Sequence, residues 1–238
     1  MNNPLQKTGK VILIPTVLHE EALHTIPAYI TEAIKECTVF FVENEKTTRR
    51  FFKKLWKEMV IDNYQWHTIH KAEAAVTKAF IDALEKGHTI GIVSEAGCPG
   101  IADPGQLLVE VAQSKGFKVT PLVGPSSILL ALMASGMNGQ CFQFNGYLPI
   151  DSLEKKKKIK ALEEDSQRNQ CTHIFIETPY RNNQLLGDLL QSCKSSTRIC
   201  IAKNITAPDE TIVTKTVQDW AKKIPELHKI PVIFLIQA

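Results

Sequence analysis

The chain of 238 residues is poor in the features that mark most specialised protein classes. It has no run of about 18 apolar residues. The longest apolar region, Val119 to Met137, is broken by Pro121, Gly124, Pro125 and serines, so no membrane span is expected. Met1 to Lys7 carries no apolar segment of the kind a secretory signal needs, and a cytoplasmic protein is expected. Its six cysteines are scattered: Cys37, Cys98, Cys141, Cys171, Cys193 and Cys200 form no C-x-x-C pair, and no His stands beside them at metal-ligand spacing. They read as small buried hydrophobes in a reducing compartment, with no metal expected. Charge of one sign is also lacking, since 28 basic and 25 acidic residues leave only +3. That excess is too small to announce a nucleic-acid binder, so such a partner has to be argued from local charge.

The common nucleotide and hydrolase motifs are missing too. No G-x-G-x-x-G follows a strand pattern, no G-x-x-x-x-G-K-[ST] is present, and there is no G-x-S-x-G elbow. His19 and His24 lie five apart, which puts them on different faces of a helix and removes a zincin reading.

What is present is a core-forming composition, 44% hydrophobic and 22% charged, arranged as short β-rich runs alternating with helical patterns. Strands are expected at Val11–Ile14, Thr38–Val42, Thr89–Val93 and Phe117–Thr120. Helices are expected near Pro27–Cys37, Asn44–Lys57, Ala72–Lys86 and Pro104–Ser114. Continuous apolar strands joined by helices indicate a mostly parallel sheet covered on both faces. After the punctuation at Pro121 to Pro125, helices are expected at Ser126–Ser135, Ser152–Asp165 and Asn182–Cys193. Strands are expected near Phe142–Phe144, His173–Ile176, Arg198–Ala202, Thr211–Lys215 and Val232–Ile236. The later strands have little helix between them, so the second sheet should be mixed. The expectation is an α/β protein of two domains, residues 1–121 and 122–238.

The most informative stretch is the loop Ser94-Glu95-Ala96-Gly97-Cys98-Pro99-Gly100-Ile101-Ala102-Asp103-Pro104-Gly105. It follows a strand, where open α/β sheets place their ligands, and its glycines and prolines allow close, rigid approach of backbone. Glu95 and Asp103 supply carboxylates. A long surface loop whose glycines only make turns is the competing reading.

The order of residues in this loop resembles that of the tetrapyrrole methylase superfamily, in particular its ribosomal RNA small-subunit methyltransferase I branch. Further stretches fall in the same order: Ile14-Pro15-Thr16, Glu43-Asn44-Glu45 with Arg49-Arg50, Leu122 to Ser127 with Ala134-Ser135-Gly136, Gly146-Tyr147-Leu148-Pro149, and Ile176 to Arg181. The resemblance implies a homodimeric methyltransferase that uses S-adenosylmethionine, with the cofactor in a cleft between two α/β domains. By position it assigns cofactor contacts to Pro15, Thr16, Val17, Glu95, Gly100, Ile101, Ser127, Ile128, Ile176, Glu177 and Ala202. Methyl transfer is an in-line displacement, so the protein's task is to position two reactants and exclude water. The chain departs from the branch in having Glu95 and Asn44 where Asp is usual. Ala202-Lys203-Asn204-Ile205-Thr206-Ala207 also replaces an Arg-Glu-Leu-Thr-Lys pattern.

For the substrate, the resemblance implies ribosomal RNA or the small ribosomal subunit, methylated on a ribose 2′-hydroxyl. Lys155, Lys156, Lys157 and Lys158 lie on an expected helix capped by Asp151; they read either as a solvated face or as a phosphate-contacting patch. Arg49, Arg50 and Arg181 are the other candidate phosphate contacts, because a guanidinium fork suits phosphate. Phe52 and Trp56 at i, i+4 read as core. His70, which matches a family histidine, and Glu43 are the candidates for assisting a hydroxyl as it attacks. Two other functions compete: methylation of a tetrapyrrole or another non-RNA substrate, and a non-catalytic cofactor-binding role.

Overall fold

The computed structural model describes residues 9–69 and 74–238, which form two compact units, Met1–Ser126 and Ser127–Ala238. In the first unit, β1 (Lys10–Ile14), β2 (Val39–Val42), β3 (Gln65–Thr68), β4 (Thr89–Val93) and β5 (Lys118–Pro121) make a sheet of order β3-β2-β4-β1-β5. Every neighbouring pair in it is parallel. The connecting helices are α1 (Tyr29–Glu36), α2 (Glu45–Leu55), α3 (Ala74–Glu85) and α4 (Gln106–Ser114). Alternate side chains of the strands feed opposite faces, as the two-residue period of a strand requires. Ile12, Ile14, Phe40 and Val42 pack with Ile30 and Ile34 of α1 and Phe52 of α2. Val11, Val39, Phe41, Ile90 and Ile92 pack with Phe80 of α3 and Leu108 of α4. All four residues of β2 are buried, each stabilising the unit by roughly 1.5–3 kcal/mol. Gly91 in β4 is there for space, because a Cβ would stand 2.6 Å from the Phe40 ring.

The boundary expected after residue 121 moves to Ser126/Ser127. Leu122 donates its N–H to the Leu13 carbonyl, and Val123 N–H is held 2.7 Å from the Tyr29 hydroxyl. Gly124 lies so close to the Pro15 ring that a Cβ would collide with it. The punctuated segment therefore finishes the first unit.

The second unit has helix α5 (Ser127–Ser135) and a mixed sheet of order β6-β7-β10-β8-β9. Its strands are β6 (Phe142–Tyr147), β7 (Thr172–Ile176), β8 (Arg198–Lys203), β9 (Thr211–Thr216) and β10 (Val232–Gln237). Only β6 and β7 run parallel. Helices α6 (Ser152–Asn169), α7 (Asn182–Ser192) and α8 (Val217–Lys222) pack Ile159, Leu162, Leu185, Leu189 and Trp220 onto Phe175 and Phe234. The short α8 was absent from the sequence expectation, although its Thr216 cap accepts from Asp219 N–H in the manner of a helix start.

Candidate active site

The polar residues of the first unit collect at the carboxyl ends of its strands. Pro15 and Thr16 leave β1 buried, and Thr16 is stitched to the loop after β4: its N–H donates to the Gly97 carbonyl at 2.9 Å, and its hydroxyl to the Ser94 carbonyl at 3.3 Å. That loop turns on left-handed backbone at Gly97 (φ 74°) and Gly105 (φ 118°), positions that favour glycine. Glu43 follows β2 and accepts the Glu95 N–H at 2.8 Å. Asn44 caps α2 by accepting from Lys46 and Thr47 N–H. The Thr47 hydroxyl donates to Glu95 Oε1 at 3.2 Å.

Glu43, Glu95 and Asp103 thus form an acidic group within one unit. Burial, and then the neighbouring Glu43 and Glu95 carboxylates, push Asp103 up to about 7. A carboxyl that exchanges its proton near neutrality suits acid–base chemistry, and it stands in the loop that the sequence singled out.

Beside this group lies a pocket of about 220 Å³ whose lining includes Thr16, Thr47, Thr48, Arg50, Lys54 and Glu95. Thr48 is 2% exposed, and its hydroxyl is buried with no hydrogen-bond partner. Arg50 is exposed, and Lys54 stands 4.0 Å from Glu20. Sequence reasoning missed Thr48, Lys54 and Glu20. The i, i+4 spacing of Arg50 and Lys54, just after the Asn44 cap, was the available signal.

The expected cofactor residues divide between the units. In the first, Val17 and Gly100 are half-buried, whereas Glu95 and Ile101 are exposed. In the second, Ser127 and Ile128 open α5, Ile176 ends β7, and Glu177 follows it. Glu177 is 5% exposed; its Oε1 accepts from Arg181 at 2.6 Å and from Thr178 N–H, while Oε2 is buried without a partner. Ala202 is buried inside β8, hydrogen-bonded into strands on both sides, so its side chain contributes only smallness.

The expected substrate residues are mostly engaged within the chain. Arg49 pairs with Glu45 at 2.7 Å and lies over the Trp66 ring, and Arg181 is committed to Glu177. Arg50 alone of the three has no ion-pair partner among the described residues. Lys155 is a correction. It is 1% exposed and faces Asp188 Oδ2 at 3.5 Å, on the inward stripe with Ile159 and Leu162, so it cannot meet phosphate. Lys156 bonds Gln191 and Lys157 pairs with Glu154, leaving Lys157 and Lys158 exposed. His70 lies outside the described residues. Phe52 is core, as expected. Burial pushes the thiols of Cys37 and Cys193 up to about 12.

The family described as Tetrapyrrole (Corrin/Porphyrin) Methylases matches residues 21–221. A protein of Halalkalibacterium halodurans named Ribosomal RNA small subunit methyltransferase I is 32% identical over 90% of this chain and 72% of its own length. One of the same name from Buchnera aphidicola subsp. Schizaphis graminum is 27% identical over 98% of this chain and 80% of its own. Among solved structures, that of the methyltransferase CobJ has the same fold, with a TM-score of 0.65, 18% identity, and coverage of 96% of this chain and 94% of that one.

Proposed function

This chain belongs to the tetrapyrrole methylase family of methyltransferases, and on that premise we propose that it methylates a ribose 2′-hydroxyl of small-subunit ribosomal RNA with S-adenosylmethionine as donor. The observation that carries the reading is the similarity, along nearly the whole chain, to relatives named for that RNA.

The residues present fit the cofactor. It offers hydrogen-bond donors on ribose, ammonium and purine; the first unit supplies acceptors in Glu95 and the carbonyls of a glycine-rich loop, and the second unit, taken by itself, has the unpartnered Oε2 of Glu177. Pro15, Thr16, Val17, Gly100, Ile101, Ser127, Ile128, Ile176 and Ala202 complete the set assigned to it. When bound, the cofactor supplies a methyl group made electrophilic by a sulfonium. The chain's residues orient the hydroxyl and accept its proton. Asp103 is suited to that acceptance near neutral pH. Glu43, fixed by the Glu95 N–H, holds the loop that carries Asp103 and Glu95, and His70 remains a candidate for the same proton. The cations available to the RNA backbone are Arg50 on the first unit and, on the second, Lys157 and Lys158, with Lys156 adjoining Lys157 in α6.

We also infer a cytoplasmic homodimer. Leu129 and Met133 on α5 stay 49% and 78% exposed, which a second copy would cover. Light scattering that returned 26.6 kDa at micromolar concentration would overturn the dimer.

The activity is tested by mass spectrometry of ribosomal RNA nucleosides from cells with and without the protein. A ribose-methylated nucleoside should disappear on deletion and return with the wild-type chain. Identical nucleoside profiles would refute the reading.

A further inference from the structure

The pocket beside α2 has a composition that narrows its occupant. One face of α2 contributes Thr47, Arg50, Phe51 and Lys54, and the loops after β1 and β4 contribute Thr16 and Glu95. Two cations, Arg50 and Lys54, and two carboxylates, Glu20 and Glu95, line the same small space, with Glu20 beside Lys54. A bare anion would gain from Arg50 and Lys54 and be repelled by Glu20 and Glu95. A polycarboxylate macrocycle meets the same repulsion at each of its carboxylates. A nucleotide carries one anionic phosphate together with several O–H and N–H donors, and so matches both signs.

Thr48 points to a ligand independently. Its residue is 2% exposed and lines the pocket, yet its hydroxyl has no partner. A buried hydroxyl without a partner is costly, and a ligand group that bonds to it recovers the loss. Arg50 likewise lacks an ion-pair partner among the described residues, in contrast to Arg49 on the next position.

We propose that this pocket seats one nucleotide of the RNA substrate, its phosphate held by Arg50 and Lys54 and its sugar or base hydrogen-bonded by the Thr48 hydroxyl. The proposal rests on the ribosomal RNA reading and adds to it a binding position within the first unit. Phe51 supplies an apolar wall, and Glu95, at the pocket's edge, stays with the cofactor.

The test measures methyl transfer to small-subunit ribosomal RNA by the full chain and by Thr48→Val, Thr48→Ser, the double variant Arg50→Gln/Lys54→Gln, and the distant control Lys223→Gln. Cofactor affinity is followed by calorimetry. The double variant should raise KM for RNA about tenfold with little change in kcat, and should lower the slope of log affinity against log salt by about one unit. Thr48→Val should raise KM about fivefold and Thr48→Ser should restore it, as expected for one lost hydrogen bond. Lys223→Gln should match wild type. An unchanged KM in the double and Thr48→Val variants, with the wild type active, overturns the pocket and leaves the RNA reading standing. Loss of cofactor affinity in those variants would assign the pocket to the cofactor and also overturn the proposal. If the wild type does not methylate the RNA, the functional reading fails and the pocket with it.

Discussion

The two units differ in how much polarity they bury, little in the first and much more in the second. The second unit satisfies most of its buried polar groups internally. Lys155 faces Asp188, Glu163 accepts from Lys194 N–H and the Thr197 hydroxyl, and His173 pairs with Asp165. The first unit has an interior of almost pure hydrocarbon and brings its polar groups to the strand ends, where Thr48 and Asp103 remain unpartnered or perturbed. Buried charge matched within a unit holds a fold in register. Thr48 and Asp103 stand at the mouth of a parallel sheet, where such sheets take their ligands. The second unit also keeps oxygens without a hydrogen-bond partner on Asn182, Asp188, Thr206 and Glu177; in Glu177 one oxygen is held by Arg181 and the other has no partner, and it is also a residue assigned to the cofactor.

The largest effect that would break this comparison is expected at Lys155. Replacing it with Met leaves Asp188 buried and uncompensated, at a cost of about 3–5 kcal/mol in urea unfolding. The double replacement Lys155→Met/Asp188→Leu should recover most of that loss. If Lys155→Met were stable but weak in RNA binding, the lysine would be a surface contact after all.

Next comes Gly91→Ala in the hydrocarbon interior of the first unit. Its Cβ would press on Phe40 at 2.6 Å and should cost about 1–3 kcal/mol, read as a lower Tm. An unchanged Tm would mean that this core is looser than its geometry.

Asp103 gives a pH-dependent effect. In the fold it keeps its proton up to about 7, whereas in the unfolded chain it releases it near 3.8. Between those values the folded state holds the extra proton, so this group's contribution to stability declines as pH rises. Asp103→Asn, uncharged throughout, should remove that decline. Tm profiles of wild type and variant that run parallel from pH 4 to 8 would contradict the perturbed carboxyl.

The smallest effect is expected at Thr206. This β-branched residue sits at φ 71°, and its hydroxyl is buried without a partner. Thr206→Gly should stabilise the second unit by about 1 kcal/mol through relief of strain. A fall in Tm would show that the hydroxyl contributes to packing.

Much of this contrast was legible in the sequence. Unbroken apolar strands such as Val39–Val42 announced a parallel sheet covered on both faces, and the sparse helix after Arg198 announced a mixed one. The loop from Ser94 to Gly105 identified itself by its glycines and prolines. Lys155 was partly legible, since it stands four residues before Ile159 on the inward stripe, but the run of lysines concealed it. Its partner Asp188 comes from another helix, and no local pattern joins the two. The domain boundary was misplaced for a similar reason. Proline and glycine at 121–125 look like a linker, whereas the close packing of Gly124 on Pro15 exists only in the folded chain. The pocket was the least legible feature, because the missing partner of Thr48 is visible only once its surroundings are built.

The most direct test of the account is transfer of an isotopically labelled methyl group from S-adenosylmethionine by the purified chain. Small-subunit ribosomal RNA, the intact subunit and a tetrapyrrole are offered in parallel, and nucleosides are analysed by mass spectrometry. The account predicts label on the ribose of one nucleoside from the RNA or the subunit and none on the tetrapyrrole. Label on the macrocycle, or on no acceptor at all, would contradict it.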